Sequence, residues 1–168
     1  MTHGLVATNG SINTSPDWRA GLWAGLIAGL AFMMMEMGLV WLVQGESPWA
    51  PPHMIAAMAL GDDILPSPGA WAPFDGTVMI TAMMIHMALS AVLGVLGACL
   101  LRGAGIGRGL VLGAVFGLAI YVLNFYVIAP FAFPWFVMAR NWISAFSHIM
   151  FGVVFGMAYV ALRRSRLA

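Results

Sequence analysis

GLWAGLIAGLAFMMMEMGLVWLV (residues 21–43) carries a single charged side chain, Glu36. A helix needs about 20 consecutive apolar residues to cross the hydrocarbon core of a bilayer. This stretch, opened by Trp18 and Arg19, meets that length. It is too long for a signal-peptide core, and no small-residue cleavage pattern follows it, so it reads as a retained membrane helix. Glycines recur at 21, 25 and 29, and methionines crowd around the acid at 33, 34, 35 and 37. The first pattern speaks of helix packing, and the second frames the one expensive residue.

The rest of the chain follows suit. Of 168 residues 62% are hydrophobic and 8% charged, and the mean hydropathy is +0.94. A soluble domain needs more charge to cover its surface, whereas lipid solvates an apolar exterior. Three further stretches reach spanning length, and together the spans are about 18–43, 77–101, 109–129 and 141–162. Residues 18–168 are therefore expected to form one all-α, integral membrane four-helix bundle. Residues 1–17 are polar, lack Lys and Arg, and read as a flexible cytoplasmic tail.

The connections are unequal. RGAGIGRG (102–109) and PFAFPWFVMAR (130–140) are short, while the outer loop 44–76 is long and holds most of the nine prolines. Within it, PPHMIAAMALGDD (51–63) has Pro at its start and Gly61 at its end, which predicts a short interfacial helix. Met54, Ile55 and Met58 would share its apolar side. His53 would be a solvated cap residue, or, with Met54 and Met58, an outer entry to a site beneath.

Arginine sets the orientation. Arg19, Arg102, Arg108, Arg163, Arg164 and Arg166 fall on one side, and Arg140 alone on the other. The positive-inside rule then places both termini in the cytoplasm of a multi-pass protein. Trp41, Trp49, Trp71, Trp135 and Trp142 would form a belt at the outer interface. A net charge of +1 without a basic stripe argues against nucleic acid. The lone cysteine, Cys99, excludes an internal disulfide and reads as a packing residue.

Spans one and three align, with Gly21, Gly25 and Gly29 falling on Gly109, Gly113 and Gly117. Spans two and four align on His86 and His148, each followed by small residues four and eight positions later. The chain thus reads as two transmembrane hairpins repeated in parallel orientation. Glycines every fourth position make strips where helix backbones approach. No strand precedes them, so they are not phosphate loops.

At this offset Glu36 falls on Asn124. Counted from the span ends, Glu36, His86, Asn124 and His148 all lie roughly 9–14 Å below the outer surface. A charged carboxylate at mid-span costs about 2.5–3.5 kcal/mol on insertion scales, so it should face the interior and find partners. Tyr121, Ser90 and Ser144 could complete a hydrogen-bonded layer. Four readings compete: a polar cluster that only fixes register, a transition-metal site, a b-type haem, or a proton or ion path. Two imidazoles and a carboxylate suit Zn, Fe or Cu, with Met33, Met37 or Met83 as soft ligands for Cu(I). His86 and His148 at equal depth would suit axial haem ligation. Buried Glu and His are also expected relay groups.

GLWAGLIAG (21–29), SPW (47–49), PW (134–135) and SHIMFGVVFGMAY (147–159) resemble the YagU-like family of small bacterial inner-membrane proteins. The resemblance implies a bacterial plasma-membrane location and an intramembrane histidine near the start of the last helix. It implies no particular activity, and it does not extend to the long loop.

No nucleophile with its base, paired carboxylates or cofactor fingerprint is evident, so the expectation is a non-enzymatic protein. An accessory or cofactor-binding subunit of a larger membrane complex, such as a respiratory one, fits the short loops and the small share of residues outside the spans. Its partners would be the bilayer and either other membrane subunits or further copies of itself. A small proton- or metal-ion-conducting transporter using Glu36 and the two histidines is the alternative.

Overall fold

A computed structural model describes residues 15–165. His3, Arg166 and most of the expected tail lie outside the described residues. Helix α1 (Trp18–Leu39) starts at Asp17, whose carboxylate accepts the Ala20 N–H at 2.9 Å. The cap satisfies a donor that the first helical turn leaves free. A wider π-type turn, Val40–Gln44, continues the helix until Gly45, at φ 71°, ends it. Helix α2 (Ala50–Leu60) has prolines in its first turn, where a missing N–H costs nothing. Asp75 caps α3 (Gly76–Leu100) through the Val78 N–H at 3.0 Å.

Helix α4 (Ile106–Val122) runs through a second π-type turn, Leu123–Ile128, into the short α5 (Ala129–Ala132). A 3₁₀ segment, Pro134–Ala139, leads to α6 (Trp142–Ser165). Four helical stretches are long and apolar enough to cross a membrane: Trp18–Gln44, Gly76–Leu100, Ile106–Ala132 and Trp142–Arg164. Each agrees with an expected span to within about a turn.

The helices are not arranged as an even square. α1 packs on both α3 and α6, α4 packs on α6, and α3 and α4 meet at few positions. Glycine makes both outer pairs close. A methyl group added at Gly21 would lie 2.7 Å from the Gly94 carbonyl oxygen and 2.8 Å from the Ala98 methyl. On the other pair, methyls at Gly113 and Gly117 would collide with the carbonyls of Gly152 and His148. Corresponding positions thus make corresponding contacts in the two pairs. In lipid, apolar side chains gain little by leaving the acyl chains, so such close van der Waals contact is what joins helices.

Between the pairs, Ala20, Ala24 and Ala28 of α1 meet Phe151, Phe155 and Tyr159 of α6 in one core. Tyr159 is wholly buried, and its hydroxyl donates to the Ala98 carbonyl at 3.3 Å. It also accepts the Asp17 N–H at 3.2 Å, tying the arginine-bearing ends of three helices together. The outward faces carry Ile80, Met84, Val92 and Leu96 on α3 and Val111, Val115 and Leu118 on α4. They suit a lipid surround.

Helix α2 corrects one expectation. Its buried face is Pro52, His53, Ala56 and Ala57, whereas Met54, Ile55 and Met58 are half-buried. Ala56 sits against Val78 and Ala82 of α3. His53 is 4% exposed rather than solvated, and its Nδ1–H donates to the Trp49 carbonyl at 2.9 Å. A helix with a small-residue face and a proline start can dock on another helix, and this one does.

Candidate functional site

The site lies toward the α2 end of the bundle, where α1 meets the first turns of α6. Asn141 opens α6 by accepting the Ser144 N–H on its side-chain oxygen at 3.1 Å. That cap fixes Ser144 facing α1, and its hydroxyl donates to Glu36 Oε1 at 2.6 Å. Glu36 is 6% exposed. Its other oxygen, Oε2, is buried and has no hydrogen-bond partner among the described residues.

One turn along α6, His148 turns its Nδ1–H back to the Ser144 carbonyl at 2.7 Å. The ring is walled by aromatic groups from three elements. Phe32 meets it edge-on at 4.7 Å between centroids, Phe125 at 5.5 Å and Tyr121 at 5.6 Å. The Tyr121 hydroxyl reaches the Asn141 carbonyl at 3.4 Å. Ser147, the residue before His148, is fully buried, and its hydroxyl also lacks a partner.

The wide turn Leu123–Ile128 shapes this wall. Lengthening the hydrogen-bond step disturbs the regular ladder, and such turns recur at functional sites. Here the Phe125 carbonyl accepts the Arg140 Nε–H at 2.8 Å, and the guanidinium lies over the Tyr126 ring, 5.0 Å from its centroid. Arginine at this depth is thereby both hydrogen-bonded and stacked, as its planar charge favours.

His86 stands apart from this group. Its Nε2–H donates to the Gly29 carbonyl at 2.8 Å, and it stacks on Phe32 at 5.3 Å with 25° between planes. Phe32 therefore packs against both imidazoles, one on its face and the other at its edge. The expected joint layer is divided: Glu36, Ser144, His148 and Tyr121 gather, while His86 lies across a phenyl ring. Ser90 packs against Gly25 and Gly29. Asn124 is half-buried in the wide turn, and no hydrogen bond joins its side chain to the cluster. His53, Met54 and Met58 belong to α2, which packs chiefly on α3.

This arrangement bears on cofactors. His86 Nε2 and His148 Nδ1 are each engaged with a backbone carbonyl, of Gly29 and Ser144. Glu36 Oε1 is taken up by Ser144. Among the described residues, no group of three or more His, Cys, Asp or Glu side chains is placed to hold a metal ion.

Sequence reasoning missed Phe32 and Ser147. Phe32 lies four residues before Glu36 and three after Gly29, on the same helix face, so helical spacing alone could have drawn it into the layer. Ser147 adjoins His148 in the quoted SHIMFG. Neither is ionisable, which is why the search for charged groups passed over them.

No family model, curated protein or solved structure matches the chain.

Proposed function

We propose that the chain is a non-enzymatic membrane protein whose Glu36–Ser144–His148 cluster exchanges protons with the extracytoplasmic side. Arginine asymmetry supports placing the α2 end outside and both termini in the cytoplasm of a bacterium. The observation that carries the reading is Glu36 itself. A carboxyl group buried at span depth, with one oxygen bonded and one unpartnered, has no structural need that a leucine would not meet better.

The direction of access follows from packing. Toward the α2 end lie Tyr121, Asn141 and Arg140, a run of polar groups from the site to the end of the bundle. Toward the other end, the glycine contacts and the buried Phe155, Tyr159 and Leu101 leave no polar track. The site therefore acts as a one-sided proton port, completed by movement of the helices or by neighbouring subunits. Four spans make a small bundle, so self-association or membership of a larger membrane complex fits this role. The two-hairpin repeat is supported by the matching glycine contacts in both helix pairs.

Reconstitution into liposomes tests the reading. Proton binding when the α2 side is acidified, read as protons taken up per chain by the proteoliposomes, should depend on Glu36 and fall to background in Glu36→Gln. A carboxylic-acid infrared band that appears with acid on the α2 side should be lost in the same variant. An unchanged band and unchanged uptake in Glu36→Gln would end the proposal.

A further inference from the structure

Two buried side-chain oxygens, Glu36 Oε2 on α1 and Ser147 Oγ on α6, have no hydrogen-bond partner among the described residues. Both belong to enclosed side chains, 6% exposed for Glu36 and 0% for Ser147. Buried polar atoms in native folds nearly always find a partner, and an exception calls for a missing water or ion. Ser147 follows Ser144 by three residues, so the two hydroxyls project from one side of α6. Ser144 already touches Glu36 across the seam. One orphan thus belongs to the acid that Ser144 holds, and the other lies about one helical turn beyond Ser144 on α6.

We propose that this junction binds one small monovalent cation, held by Glu36 Oε2, Ser144 Oγ and Ser147 Oγ. The proposal rests on the reading of Glu36 as an exchangeable site, with cation and proton using the same carboxylate oxygen. The donor set is all oxygen, the chemistry of a hard ion rather than a soft one. Charge selects the valence. Among the described residues the only hydrogen bond to the Glu36 side chain comes from the neutral Ser144 hydroxyl, and the carboxylate form would carry one negative charge to be matched. A monovalent ion leaves the seam neutral, whereas a divalent one leaves a net charge at span depth, where it is costly. Ser144 can serve both roles, since its hydroxyl donates to Oε1 and keeps lone pairs for the ion.

Sodium is the probe. Thermal unfolding of the purified full chain in detergent is followed as NaCl replaces choline chloride at constant ionic strength. A ligand that binds only the folded state raises Tm with the logarithm of its concentration once above Kd, and here the rise should reach about 5 °C. Ser147→Ala and Glu36→Gln should abolish the dependence, and Cys99→Ser, on the lipid-facing side of α3, should keep it. A wild-type Tm indifferent to sodium overturns the site and leaves the orphan oxygens to water. A full sodium response in Ser147→Ala, or a stronger response to MgCl₂ than to NaCl, overturns it equally. Should Ser147→Ala fail to fold, sodium NMR linewidths decide, and equal broadening by wild type and Glu36→Gln refutes the site. Proton uptake measured in choline alone separates the two claims. Uptake that persists without any sodium effect removes the cation site only, and loss of Glu36-dependent uptake removes the proton reading too.

Discussion

Ser144 donates its hydroxyl hydrogen to Glu36 Oε1 at 2.6 Å, joining α6 to α1 across 108 positions of sequence. It is the only hydrogen bond to the Glu36 side chain among the described residues, and it makes the serine a guard on the acid. Removing it in Ser144→Ala leaves both carboxyl oxygens buried and bare. The expected loss is about 1–3 kcal/mol of stability, measured by unfolding in mixed micelles. A loss no larger than that of a lipid-facing control such as Val115→Ala would remove Ser144 from this role.

The opposite change at the acid should stabilise. Glu36→Met fills similar volume without a polar atom and ends the desolvation of an incompletely bonded group. A gain of about 1–3 kcal/mol is expected, together with loss of proton uptake. Stability and activity moving in opposite directions is the signature of a residue retained for function. A large destabilisation in Glu36→Met would show instead that the acid holds the bundle together.

Phe32 lies against both His86 and His148. Phe32 is half-buried, so Phe32→Ala should cost about 2–3 kcal/mol, below the range for emptying a fully buried aromatic position. It should also clear the space between two imidazoles and create Zn²⁺ or Ni²⁺ binding, read by isothermal titration and lost again on adding His86→Ala. Metal affinity no greater than that of wild type would show that the ring does not hold the imidazoles apart.

At the glycine seams, a side chain has nowhere to go. Methyls built at Gly113 and Gly152 run into each other's backbone carbonyls. Gly152→Val should therefore separate α4 from α6 and cost about 3 kcal/mol or more, beyond ordinary overpacking. Gly107→Ala, where a methyl meets nothing within 4 Å, should behave as wild type in the same unfolding assay.

The spans, and Ser144 and Tyr121 as company for Glu36 and His148, were legible because they rest on local rules. Residue type and spacing say where a helix must be and how deep its acid lies. What stayed hidden was rotation about each helix axis. His86 and His148 share a depth, yet depth cannot tell that one bonds to the Gly29 carbonyl and the other to the Ser144 carbonyl. Likewise the α2 pattern permitted a docked or an interfacial helix, and the choice fell to Ala56 finding Val78 and Ala82 on α3. The unpartnered Ser147 was beyond reach for a simpler reason, since a lack of partners shows only once every neighbour is in place.

The Trp135 indole N–H donates to the Met54 carbonyl at 3.0 Å, linking the Pro134–Ala139 segment to α2. Trp135→Phe should cost about 1 kcal/mol and speed amide exchange in α2 more than in α6. Equal exchange in the two helices would show that the tie is not what keeps α2 in place.

Helix α3 leans on one long neighbour. Its flank toward α4 is nearly empty, and α2 rides on it through Ala56, Val78 and Ala82. Held at its Ala98 end by the Tyr159 hydroxyl, such a wing can tilt at its α2 end along the glycine seam of α1 while the α1–α6–α4 trunk stands still. A bilayer that thickens, thins or curves would press on that wing first, so lipid composition becomes a lever on the acid at the trunk's edge.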